Sequence, residues 1–84
     1  MSSLKEYTVR IKKAKWNAAL QLLDEMYHND ILPDTIHYNA AISVCSKACR
    51  LRNALELFDG MQERCLEPNV ITYNALISAC EKSP

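Results

Sequence analysis

Displaced by 35 residues along itself, the chain meets its own sequence again. Ala19, Leu20, Leu22, Asp24 and Met26 fall on Ala54, Leu55, Leu57, Asp59 and Met61. Pro33 and Ile36 fall on Pro68 and Ile71, and Tyr38-Asn39-Ala40 falls on Tyr73-Asn74-Ala75. Ile42, Ser43, Cys45 and Lys47 fall on Ile77, Ser78, Cys80 and Lys82. Trp16–Cys49 alone gives 14 identities, where chance gives about two or three. One complete unit spans 35–69. A degenerate or capping unit precedes it over 1–34, and the first helix of a truncated third unit follows over 70–84.

Each unit reads as two helices. Tyr38, Ala41, Ile42, Cys45 and Cys49 are three and four apart, and so are Leu51, Ala54, Leu55, Phe58 and Met61. That spacing puts each set on one helical face. Trp16, Ala19, Leu20, Leu23 and Tyr27 form the matching stripe earlier, and Tyr73, Leu76, Ile77 and Cys80 form one later. Pro33 and Pro68 stand between units and are expected to stop the preceding helix, with Asp34 and Asn69 capping the next. Near Leu4–Lys13, strict spacing puts Glu6 and Arg10 where Ala41 and Cys45 stand later. A shift of one aligns Leu4, Tyr7, Thr8 and Ile11 instead, and implies a turn one residue shorter. A helix pair of this size cannot bury its stripe alone and must stack on the next pair. The expected fold is all-α: an α-solenoid of stacked antiparallel helix pairs, five helices in about two and a half repeats. Since the sequence stops where a second helix is due, a fragment of a longer array is expected.

Composition agrees. Of 84 residues, 49% are hydrophobic, too many for a disordered chain, and a single glycine disfavours a turn-rich β fold. No apolar run approaches the roughly 18 residues of a membrane span, so no membrane partner is expected. Cys45, Cys49, Cys65 and Cys80 lack the paired spacing or nearby histidines of a zinc site, which leaves small buried thiols as the expectation. His28 and His37 are isolated and expected at the surface. No nucleophile–base or carboxylate pair recurs at a useful spacing. The expectation is no catalytic residue, no metal and no cofactor.

The 34-residue tetratricopeptide pattern fits poorly, because Phe58 and Pro68 are ten apart and the expected glycine is missing from the first helix. The chain instead resembles the pentatricopeptide repeat family. The resemblance rests on Ile71-Thr72-Tyr73-Asn74-Ala75-Leu76-Ile77, on Asn53-Ala54-Leu55-Glu56-Leu57-Phe58-Asp59-Gly60-Met61 and on Leu66-Glu67-Pro68-Asn69. It runs from Trp16 onward; Leu4–Lys15 departs from it.

That resemblance implies single-stranded RNA bound along a concave face lined by first helices, about one base per repeat. It implies base reading by the fifth and last residues of a unit, here Asn39 with Asn69, a pair matched in the family to a pyrimidine, cytosine before uracil. Asn74 is the next fifth residue. Asp34 is the last residue of the first unit, whose fifth residue is Leu4 or Lys5; that unit is expected to read nothing. Ile36 and Ile71 correspond to positions that pack on base faces, and Lys47 and Lys82 to a lysine directed at the phosphate backbone. The chemistry is suitable: an amide offers a donor and an acceptor, and a β-branched side chain is a stiff apolar wall. The bland readings are helix-start polar residues, caps, ordinary packing and solvated charges. Tyr38 and Tyr73 are expected in the core.

The resemblance further implies work in a mitochondrion or plastid, in RNA processing, stability or translation; no clear targeting peptide precedes the first helix. The alternative is a helical protein–protein scaffold using an exposed C-terminal helix face at Tyr73, Leu76, Ile77 and Cys80. A remnant without function of its own is a third reading. Ten basic and ten acidic residues give zero net charge, but unevenly. Residues 1–15 hold five basic side chains and one acidic, while Asp24, Glu25, Glu56, Asp59 and Glu63 lie in second helices. The first helices are therefore the less acidic surface.

Overall fold

A computed structural model describes residues 3–82, with side chains from Glu6 onward. The described residues form five helices and no strand: α1 (Ser3–Lys13), α2 (Trp16–His28), α3 (Thr35–Lys47), α4 (Leu51–Glu63) and α5 (Val70–Lys82). The first helices α1, α3 and α5 lie in one layer with α3 between the others, and α3 also touches α2 and α4. Each second helix packs on its own partner and on the next first helix, α2 on α1 and α3, α4 on α3 and α5.

The central helix is enclosed except along the edge that carries Ile36 and Lys47. His37, Tyr38, Asn39, Ala40, Ala41, Ile42, Cys45 and Ser46 are all buried in α3. The core continues through Ile11, Met26 and Met61, each fully buried. Among the described side chains of α1, Tyr7 and Ile11 are buried, with Glu6 and Arg10 exposed. The shifted register is therefore the observed one, and the α1–α2 turn holds two residues where the α3–α4 turn holds three.

Several expectations change. The second helices bury Leu22 and Met26 in α2, and Leu57 in α4, beyond the single stripe read from spacing, while Leu55 stays 43% exposed. Each second helix meets two first helices, so its apolar face is wider than one seam. On α5, Tyr73, Ile77 and Cys80 are exposed, but Leu76 is buried against α3 and α4. Tyr73 is thus not a core residue: its ring touches Phe58 edge-on, at 5.8 Å between centroids. Tyr38, its counterpart, is buried and shares a 2.7 Å hydrogen bond with the Tyr27 hydroxyl. Of the cysteines only Cys45 is buried; Cys49, Cys65 and Cys80 are exposed.

The prolines do not stop the helices. α2 and α4 end five residues earlier, in turns where Asp30 and Cys65 have φ near 60°. There the N–H groups of Ile31 and Leu66 donate back to the carbonyls of Met26 and Met61, both at 2.8 Å. Cys49 makes the same turn after α3, with Arg50 N–H donating to the Cys45 carbonyl. This left-handed termination usually takes glycine, and its cost to an ordinary L residue is roughly 1–2 kcal/mol. The one glycine, Gly60, sits inside α4 instead, where an added Cβ would meet Tyr38 at an ordinary 3.8 Å.

Moving the glycine should therefore stabilise the chain. Gly60→Ala and Cys65→Gly are each expected to add about 0.5–1 kcal/mol. A rise of several degrees in melting midpoint should be seen for each by circular dichroism. Burial also pushes the Cys45 thiol up to about 11. The unfolded thiol ionises first, so stability should fall as pH rises from about 9 towards 11, by at most about 1.4 kcal/mol per pH unit. Denaturant midpoints against pH check this, and Cys45→Ala should flatten the slope.

Candidate nucleic-acid interface

The start of α3 is built by a capping box. Asp34 stands before the helix in extended backbone, and its carboxylate accepts from the Ile36 and His37 N–H groups at 3.0 and 3.3 Å. The His37 ring Nδ1 accepts the Asp34 N–H at 3.1 Å. His37 is 2% exposed, so the surface placement expected for it is wrong; His28 is exposed. A side chain at the third helical position lies over the cap and is drawn in by that bond.

The start of α5 repeats the device with different residues. Asn69 Oδ1 accepts the Thr72 N–H at 3.2 Å, and Thr72 Oγ1 accepts the Asn69 N–H at 3.1 Å. Asn39 joins this cap from α3. Its Nδ2 donates to Asn69 Oδ1 at 3.1 Å, and its Oδ1 accepts from the Thr72 hydroxyl. Asn39 is 7% exposed and Thr72 is fully buried, so the network satisfies amide and hydroxyl groups that packing has removed from water.

Above this network lies an open groove of about 360 Å³, lined by Lys12, Ile36, Asn39, Ala40, Ser43, Val44, Lys47, Asn69 and Ile71. Ile36 and Ile71 are 59% and 60% exposed at successive helix starts, large apolar side chains held out in solvent. Two lysines line the groove and no acidic residue does. The arginines Arg10, Arg50 and Arg64 are placed elsewhere, over the rings of Tyr7, Trp16 and Tyr27.

Five of the eight residues singled out from sequence therefore converge: Ile36, Asn39, Lys47, Asn69 and Ile71. Asp34 caps α3 and does not line the groove. Asn74 and Lys82 lie exposed on α5, away from it. Leu4 and Lys5, weighed as the fifth residue of the first unit, fall outside the described side chains. Lys12 and Thr72 were missed. In the observed register the counterpart of Lys47 is Lys13, so the repeat did not single out Lys12. Thr72 follows Asn69 by three, the spacing of a cap partner.

Among the described residues no cluster of metal-ligating side chains occurs, and no helix is long and apolar enough to cross a membrane. No curated protein matches the chain. A family model, the pentatricopeptide repeat domain, matches residues 21–83. The match covers three quarters of the sequence, on a fold of stacked helix pairs. The chain belongs to the pentatricopeptide repeat family, whose members are helical repeat proteins, generally RNA-binding, non-enzymatic and organellar.

Proposed function

We propose that this chain is a module that binds single-stranded RNA and holds one pyrimidine in the groove between α3 and the start of α5. The carrying observation is the convergence of Ile36, Asn39, Lys47, Asn69 and Ile71 on one open, acid-free groove. In this reading Ile36 and Ile71 wall the base faces and the Asn39–Asn69 amides meet its edge. Lys47, with Lys12 beside it, attracts the phosphates. Residues 35–69 act as the complete reading unit, 1–34 as a capping unit, and 70–84 as the first helix of the next. Asn74 and Lys82 take the same roles for a following base, and Asp34 reads nothing. The setting is a mitochondrion or plastid, the role RNA processing, stability or translation.

A single site gives weak binding. Fully burying an isoleucine side chain is worth about 1.5–3 kcal/mol, and about 4 kcal/mol corresponds to a Kd near 1 mM. With zero net charge there is little long-range steering. A second reading, a helical scaffold for protein partners, is favoured by Tyr73 and Ile77, 49% and 56% exposed on α5.

The test is titration of pyrimidine and purine oligoribonucleotides at low salt. Pyrimidine strands should bind more tightly. Asn39→Ala should remove the preference, with a loss of about tenfold. Lys47→Gln should weaken all strands alike and reduce the salt slope by about 0.7. Equal binding of pyrimidine and purine strands by the unaltered chain, left unchanged by both substitutions, would favour the scaffold reading.

A further inference from the structure

A second hollow, of about 350 Å³, lies at the other end of α3. Lys12, Lys15, Trp16, Lys47 and Ala48 line it, and no acidic residue does. It shares Lys12, Val44 and Lys47 with the groove, so the two openings are continuous. Among the described residues none of its three lysines forms an ion pair. Two of them have an ordinary reason to be there. Lys12 and Lys47 stand in the last turns of α1 and α3, where a cation offsets the carbonyl end of the helix dipole. Lys15 has no such reason. It is the residue before α2, at the positive end of that dipole, and its side chain makes no cap. No acid stands in the first turn of α2 to offset it. A fourth cation backs the wall, since the Arg50 guanidinium lies over the Trp16 ring at 4.3 Å.

Charge and position together name the occupant. Each helix end carries roughly half an elementary charge, so the two carbonyl ends leave most of the lysine charge unbalanced. A phosphodiester inside a strand supplies one negative charge, whereas a phosphate monoester supplies about 1.5–2. The first helices lie side by side, so a strand that gives one base to each unit crosses α3. The hollow instead follows α3 towards its C-terminal end and stops against Lys15 and Trp16. Asn39 and Lys47 are eight residues apart on α3, about 12 Å along its axis. A group held there has left the crossing path. We infer that this hollow is a phosphate-monoester site that holds the phosphorylated end of an RNA strand whose pyrimidine lies in the groove. This rests on the RNA reading above and gives the first unit, which reads no base, a ligand of its own.

The experiment titrates the full chain with short pyrimidine oligoribonucleotides carrying a 5′-phosphate, a 3′-phosphate or hydroxyls at both ends. Cytidine monophosphate and inorganic phosphate are the comparison ligands. Trp16 is the single tryptophan, so its fluorescence reports on the hollow directly. A phosphate at one end, and not at the other, should tighten binding about tenfold and change the Trp16 emission. That is the scale of one charge-assisted hydrogen bond, and a strand lying in one direction presents only one end. Lys15→Gln should abolish the gain, leave hydroxyl-ended strands bound as before and not lower the melting midpoint. Lys15→Arg should keep the gain. Equal binding of phosphorylated and hydroxyl-ended strands, an equal gain at both ends, or a gain that survives Lys15→Gln overturns the inference and leaves the RNA reading standing. Cytidine monophosphate or inorganic phosphate bound as tightly as the phosphorylated strand makes a free phosphate the ligand and overturns the strand-end assignment. Absence of binding by every strand removes the RNA reading, and this inference with it.

Discussion

Everything in this structure depends on α3 being buried on every side but the groove, where Ile36, Ser43, Val44 and Lys47 keep solvent exposure. It is 13 residues long and touches every other helix. A helix so enclosed has only a narrow wet strip on which to place its polar residues. Its polar side chains go inside as well, and each must find a partner there, since an unpaired buried polar group costs roughly 1–3 kcal/mol. His37 finds its own cap residue. Asn39 has no partner on α3 and takes one from the start of α5, 30 residues away in sequence. The contact that satisfies Asn39 is therefore also the contact that sets α5 beside α3 and brings Asn69 to the groove.

The groove is a consequence of that packing. Two successive first helices start side by side, each preceded by a cap residue and carrying an exposed isoleucine at the same register. The isoleucines and the lysines Lys12 and Lys47 line the same opening. The acids Asp24, Glu25, Glu56 and Asp59 lie exposed on the second helices. Glu25 is tied to α1, accepting from the Tyr7 hydroxyl at 2.8 Å with Arg10 at 3.4 Å. Neutrality of the whole chain thus conceals two unlike surfaces.

The helices and their order were legible because the repeat shows the same apolar spacing more than once. What the spacing hid has physical reasons. Leu57 and Leu22 are buried because a second helix serves two neighbours, which one stripe cannot express. Tyr38 and Tyr73 are the same residue at the same register, yet one is core and the other half exposed. Burial belongs to the neighbours and not to the repeat. The helix stops were misassigned to proline because the left-handed turns carry Asp30, Cys49 and Cys65 where a glycine would have announced them. At the site, the family resemblance singled out Asn39, Asn69, Ile36, Ile71 and Lys47. Their mutual hydrogen bonds, and the part of Thr72, came only from the meeting of α3 with α5.

The central claim is that RNA enters the groove between α3 and the start of α5. Photocrosslinking of the full chain to a pyrimidine strand carrying 4-thiouridine, followed by peptide mapping, tests it most directly. Crosslinks should fall on the peptides that hold Ile36, Asn39 and Lys47 and on those that hold Asn69 and Ile71. Crosslinks confined to the acidic faces of α2 and α4, with the groove peptides unmodified, would contradict the account.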